Sequence, residues 1–288
     1  MLSRGIIGVA PDGDAKIEEN VSLYKDFHGA ADGRITVMFG PHAPYTCPPD
    51  FLKKVAKTAQ SLGAEVHIHM AETKAEIEQI TKAYGKRPFR YVEETGLFDG
   101  KGTLAAHCVH LDEEDIAIIK KHGIRVAHNP GSNMKLASGV APVPRLLKEG
   151  VCVALGTDGA SSNNNLDMLE EINLAAMLHK VSTLDPLAVP ARTALKMGTE
   201  YGAQAVGLTG VGKLEAGCKA DITLFDMDGA AWYPRNDLAS LLVYSSHADS
   251  ASTVLVDGKV LMEDKELLTL DKERIFYEAQ KCAERLTK

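Results

Sequence analysis

Residues 64–73 read AEVHIHMAET, an apolar run of strand length whose last turns bring two histidines one residue apart and a glutamate three positions after the second. Residues i and i+2 of a strand share a face, so His67 and His69 point the same way. The same grammar recurs on either side. RITVMFG (34–40), GTLAAHC (102–108), IRVAHN (124–129) and VCVALGT (151–157) are near-continuous apolar runs, as expected of strands buried on both faces of a parallel sheet. Helical patterns separate them. PPDFLKKVAKTAQSLG (48–63) opens on prolines and closes on glycine, DEEDIAIIKKHG (112–123) opens on Asp112 as an N-cap, and VPRLLKEG (143–150) also closes on glycine. The alternation β-α-β-α with helix-length crossovers predicts a parallel α/β fold.

Two further amphipathic helices are predicted over 164–180 and 186–208. After Gly207 the texture changes. KADITLFDMDG (219–229) and STVLVDGKVLMEDKELL (252–268) carry short alternating runs with Asp-Gly turn signals, and DKERIFYEAQKCAERLTK (271–288) reads as a charged closing helix. We therefore expect a main α/β domain over 1–209, a small β domain over 210–268, and a helix over 269–288 packing back on the first domain.

The composition narrows the function. With 45% hydrophobic and 25% charged residues among 288, the chain has ordinary globular composition and can bury a sizeable core. No window approaches about eighteen consecutive apolar residues, so no membrane partner is expected. The start, MLSRGIIGVAPDGD, lacks a secretory apolar core. Cys47, Cys108, Cys152, Cys218 and Cys282 are scattered and odd in number, which reads as reduced thiols and a cytoplasmic setting. A net charge of −7 argues against nucleic acid, since phosphate binding needs clustered lysine and arginine. A small-molecule substrate and a homo-oligomer are expected.

Residues capable of chemistry fall at or just past each strand's C-terminal end: His42, then His69 and Glu72, then His107, then His128 and Asn129, then Asp158. That edge is where parallel α/β folds build active sites. Histidine and carboxylate converging without an activated serine or cysteine match zinc or iron ligation, hence metal-activated hydrolysis. Competing motifs lack their context. There is no GxSxG; GLTGVGK (207–213) has Leu214 where a P-loop needs serine or threonine; GKGTLA (100–105) precedes a strand instead of following one. His28, His122, His179 and His247 lie in helical or loop stretches with no chemistry expected, and His110 reads as a capping or surface residue.

GPHAPYTCP (40–48), VHIHMAET (66–73), AAHCVHL (105–111), HNPGSNMKLASGVAPV (128–143) and LGTDGASSNNNLDMLEEI (155–172) resemble, in order and spacing, the amidohydrolase superfamily. The likeness is to its 5-methylthioadenosine/S-adenosylhomocysteine deaminase branch and the chlorohydrolases beside it. It extends through GKLEAGCKADITLFD (212–226). The resemblance implies a partial (β/α)8 TIM-like barrel, strands three or four to eight, followed by a small β element left from a β-sandwich domain and a C-terminal helix. It implies that His69 and Asp158 bind one divalent metal, zinc by expectation, with iron equally compatible with such ligands. Glu72 would carry protons beside the ring and His107 would act with Asp158 on the attacking water. His42 and Arg4, with Glu72 and Asp158, would contact substrate, and Lys16 stands where relatives often carry an arginine. His67 would fill the barrel interior a layer below the metal.

The reaction implied is hydrolytic deamination of an adenine nucleoside to its inosine form. The family's first-strand HxH, which supplies two more metal ligands, is expected to lie before Met1, so the chain is read as N-terminally truncated, and whether it turns over substrate alone is left open. Two alternatives stay open. One is another amidohydrolase reaction on a C–N or C–Cl bond of guanine or a triazine; the other is a degenerate fragment that binds a nucleoside without turnover.

Overall fold

A computed structural model describes residues 2–10 and 12–287, with all their side chains except those of residues 2–4. Contacts divide the chain into two units, Met1–Leu208 and Thr209–Lys288. In the first, the elements are β1 (Leu2–Ile6), α1 (Gly13–Phe27), β2 (Val37–Pro41), α2 (Pro49–Leu62), β3 (Glu65–Met70), α3 (Lys74–Tyr84), α4 (Pro88–Glu93) and β4 (Thr103–His107). There follow α5 (Glu113–Lys121), β5 (Arg125–His128), α6 (Pro130–Lys135), α7 (Val143–Lys148), β6 (Val153–Leu155), α8 (Ala160–Asn163), α9 (Met168–Thr183), α10 (Ala191–Gly198) and α11 (Glu200–Ala205). The six strands form one parallel sheet in the order β1-β2-β3-β4-β5-β6. Sequential order with a helical return after every strand is the winding of a (β/α) barrel. Among the described residues β1 and β6 each pair on one side only, so the six strands form an open sheet.

Each strand predicted from its apolar run is present, and the helix signals explain their ends. Pro49 opens α2, and Gly63 terminates it in the left-handed region at φ 62°. Asp112 and Asp115 form a reciprocal capping box at the start of α5. Along β3 exposure alternates: Val66, Ile68 and Met70 are buried while Glu65, His67 and His69 stay partly open. Ile68 therefore faces the helix layer, where Leu52 and Val55 of α2 and Ile119 of α5 are also fully buried. The predicted helix over 186–208 is broken at Thr199 into α10 and α11. β1 carries no apolar run long enough to be read from periodicity; it takes its place by pairing with β2, Arg4 opposite Phe39.

At the start of the strands, Glu65 of β3 and Arg125 of β5 form an ion pair at 3.1 Å. This pair serves the fold, since chemistry gathers at the opposite ends. No described helix is long and apolar enough to cross a membrane.

The second unit holds a four-stranded antiparallel sheet, β7 (Ile222–Phe225), β8 (Ala251–Val256), β9 (Lys259–Glu263) and β10 (Glu266–Leu267), ordered β10-β9-β8-β7. The Asp-Gly signal is the turn it promised. Asp257 and Gly258 both lie at positive φ, 52° and 77°, as a tight β8–β9 hairpin requires. Between β7 and β8 the chain makes α12 (Leu238–Tyr244), which the strand pattern did not foretell, and α13 (Lys272–Leu286) closes the chain with no buried residue.

Replacing fully buried Ile119 by alanine should cost about 2–5 kcal/mol through lost burial and the cavity left behind. Urea denaturation of the two proteins measures it; a change under about 0.5 kcal/mol, the scale of a surface substitution, would contradict this core.

Candidate metal centre

The ends of three strands leave regular geometry where the chemical residues sit. Ala71 after β3 (φ 52°), His107 and Cys108 at the end of β4 (φ 71° and 50°), and Asp158 after β6 (φ 60°) all lie in the left-handed region. Non-glycine residues there are held at a cost of order 1–3 kcal/mol each, and such strain gathers at functional sites. Its consequence is convergence. His69, His107 and Asp158 each offer one ligand atom, and these atoms all lie within 4.8 Å of one another.

Hydrogen bonds aim these groups. His69 Nδ1 lies 2.6 Å from the His42 carbonyl oxygen, which can only accept, so Nδ1 carries the proton and Nε2 is left as a donor for a metal. His107 Nδ1 meets Asn133 Oδ1 at 2.9 Å, and its Nε2 lies 3.8 Å from Glu72 Oε2. Asp158 accepts from the Ser132 hydroxyl at 2.7 Å and from the Gly159 N–H at 2.7 Å. Burial pushes the Asp158 carboxyl up, but these two bonds, with His107 and His69 nearby, outweigh it and hold the group below its ordinary pKa. Two imidazoles with oriented nitrogens and an ionised carboxylate are a donor set that suits zinc or iron.

Glu72 stands beside this cluster, accepting from the Ser138 hydroxyl at 3.0 Å. Its backbone is fixed by Glu76, a buried carboxyl that accepts from the N–H groups of Ala71 (2.8 Å) and Glu72 (2.9 Å). Thus one glutamate clamps the strained turn on which the other sits.

The remaining expected residues divide. His42 is near His69, ring centroids 5.0 Å apart, with Nδ1 bonded to Thr46 Oγ1 at 2.9 Å. Burial, then the neighbouring His69, lowers its pKa against the opposing pull of Glu72. His67 lies one step down the same face, with its ring 6.0 Å from that of His69 and outside the ligand cluster. Burial and the neighbouring imidazoles take it to about 4, so it is neutral. Arg4 pairs with Phe39 through β1, and its side chain lies outside the described residues. Lys16 is engaged by Glu19 at 2.7 Å and Asp12 at 3.5 Å. His128, the last residue of β5, is fully buried against His179 of α9, Nε2 to Nε2 3.1 Å.

Residues 2–261 match the amidohydrolase family model. This chain belongs to the amidohydrolase family. Over 285 residues it is 55% identical to 5-methylthioadenosine/S-adenosylhomocysteine deaminase of Pelotomaculum thermopropionicum, covering 99% of this chain and 66% of that one. The enzyme of the same name from Dictyoglomus thermophilum is 52% identical over 287 residues, covering 100% and 67%. Among solved structures, an adenosine deaminase from Xanthomonas campestris with bound zinc superposes with a TM-score of 0.94 at 31% identity, over 100% of this chain and 66% of that one. The zinc-bound atrazine chlorohydrolase of Arthrobacter aurescens gives 0.88 at 26%, over 97% and 64%. This amidohydrolase chain therefore spans about two thirds of the length of these relatives.

No local pattern in the sequence singles out Glu76, Ser132, Asn133 or Ser138. The last three fall inside HNPGSNMKLAS, where the resemblance names no role for them, although serine and asparagine beside a strand end are the residue types that orient ligands.

Burial pushes the Glu76 carboxyl up to about 7, against the lowering effect of the Ala71 and Glu72 N–H donors. A raised carboxyl pKa means the folded state binds the proton more tightly. Its stabilising share is therefore complete below the unfolded value of about 4.3 and is lost as pH rises through about 7. In denaturation series across that window, the stability difference between wild type and Glu76→Gln should shrink as pH rises; a constant difference would refute the assignment.

Proposed function

We propose that this chain carries the metal centre and the proton-transfer groups of a hydrolytic deaminase acting on adenine nucleosides, 5-methylthioadenosine foremost. The observation that carries the reading is the gathering of His69, His107 and Asp158 ligand atoms within 4.8 Å, with the Glu72 carboxylate 3.8 Å from His107 Nε2. His69, Asp158 and, by position, His107 would hold one divalent metal, which we take to be zinc. A metal bound there supplies Lewis acidity and brings a water molecule's pKa near neutrality.

The chain's own groups do the proton work. As water adds to C6 of the purine, Asp158 takes its proton. Glu72 gives a proton to ring N1, which lets C6 become tetrahedral. Asp158 then returns its proton to the amino nitrogen while the C6 hydroxyl gives its own to Glu72, so the C6–N bond breaks and ammonia leaves with the inosine-type product. A non-ligand glutamate as proton carrier is the arrangement zinc deaminases use on free bases and nucleotides. His42 Nε2 is left to meet the substrate because its Nδ1 is occupied by Thr46. The names of the relatives, deaminases at 55% and 52% identity, support this substrate class.

Lys16 favours the methylthio substrate over the homocysteine-bearing one. Its ammonium is paired with Glu19 and Asp12, and a lysine lacks the planar fork that grips a carboxylate at two points. We place the protein in the cytoplasm, as a homo-oligomer.

The zinc-supplemented protein should convert 5-methylthioadenosine with the ultraviolet shift to the inosine form, with a higher kcat/KM than for S-adenosylhomocysteine. Glu72→Gln should lower kcat about 10²- to 10⁴-fold, the usual worth of a positioned proton-transfer group, with zinc content unchanged. Turnover of guanine or a triazine in place of adenine nucleosides would overturn the substrate assignment, and full activity in Glu72→Gln would overturn the mechanism.

A further inference from the structure

One short segment touches three groups of the centre. From Asn129 to Ser138, Ser132 donates to Asp158 Oδ2 at 2.7 Å, Asn133 Oδ1 meets His107 Nδ1 at 2.9 Å, and Ser138 donates to Glu72 Oε1 at 3.0 Å. Ser132 and Asn133 are both fully buried, so solvent does not compete for these bonds. The groups they reach belong to different strand ends, β3, β4 and β6, and the segment follows a fourth, β5.

The segment is itself held from α9. Glu171, buried on that helix, accepts from the Gly131 N–H at 3.0 Å and from Asn163 Nδ2 at 2.8 Å. A Cβ at position 131 would stand 2.3 Å from Glu171 Oε1, so the bond requires glycine there. About two turns along α9, His179 meets His128, the residue that leads into the segment, at 3.1 Å. Two buried contacts to one helix thus set where Ser132 and Asn133 lie.

His107 Nδ1 has two asparagines in reach, and they demand opposite things of it. Asn133 Oδ1 at 2.9 Å can only accept, which puts the proton on Nδ1 and leaves the Nε2 lone pair facing the cluster. Asn129 Nδ2 at 3.4 Å can only donate, which would put the proton on Nε2 and close that nitrogen to a metal. The shorter contact prevails.

We infer that Asn129–Ser138, clamped to α9 by Glu171 and His179, is the positioning strap of the centre, in which Asn133 selects the metal-competent tautomer of His107 and Ser132 fixes the orientation of Asp158. Neither touches substrate; both act through the ligands they hold. The inference rests on the metal-centre reading above, yet its first arm does not need a metal.

Long-range ¹⁵N–¹H correlation spectra of the metal-free protein, recorded above the imidazole pKa range, should show His107 protonated at Nδ1. Asn133→Asp, which keeps an acceptor, should preserve that signature, and Asn133→Leu should abolish it. In the second arm, zinc competition against a chromophoric chelator should show Kd raised about 10- to 100-fold in Ser132→Ala and Asn133→Leu but not in Asn133→Asp. An Nε2-protonated His107 in the wild type would overturn the inference, and that observation requires no variant to fold. Wild-type zinc affinity in both Ser132→Ala and Asn133→Leu would overturn it as well. A wild-type protein that takes up no zinc would sink the metal-centre reading, while the tautomer would still decide this one.

Discussion

Met70 of β3 pairs with His107 of β4, Ala106 with Ala127 of β5, and His128 with Leu155 of β6. This continuous parallel register brings the ends of four strands level, and the centre depends on it. Side chains alternate faces with a period of two, so a slip of one residue in β3 would turn His69 toward the helix layer and Ile68 away from it. The burial of Ile68 and Met70 on one face and the partial exposure of His67 and His69 on the other oppose such a slip. Hydrophobic packing behind the sheet therefore fixes which atoms can meet in front of it.

Convergence has a local cost that the surroundings offset. Left-handed backbone at Ala71, His107, Cys108 and Asp158 is unfavourable for residues with a side chain. The turns persist because their polar groups are satisfied from neighbouring elements. Ala71 is held by Glu76 through its N–H and, through its carbonyl, by the N–H groups of Val109 and His110. Asp158 is held by Ser132 and Gly159. At the opposite ends of the strands the Glu65–Arg125 pair serves stability, which separates the working end of the sheet from its structural end.

The apolar runs over 34–40, 64–70, 102–108, 124–129 and 151–157 were legible because a strand buried on both faces leaves a continuous hydrophobic signature. The position of His69, Glu72, His107 and Asp158 after such runs was equally plain. What was not legible follows from physics of longer range. β1 lacks the signature and is a strand by pairing alone. The break between α10 and α11 turns on Thr199, whose neighbours Gly198 and Gly202 gave no sharper signal than other glycines. His179 lies in a helical stretch that gives no chemical signal; its contact with His128 joins positions 51 apart, which no local pattern carries. Ser132 and Asn133 likewise gain their meaning only once β4 and β6 stand on either side of them.

We propose that His69, His107 and Asp158 form one metal centre. X-ray absorption at the zinc edge of the zinc-loaded, gel-filtered protein tests it directly. We predict nitrogen and oxygen scatterers only, with imidazole signatures at about 2.0–2.1 Å, and loss of the bound zinc in His69→Ala. Sulfur scatterers at about 2.3 Å, or zinc retained undiminished in His69→Ala, would place the metal elsewhere.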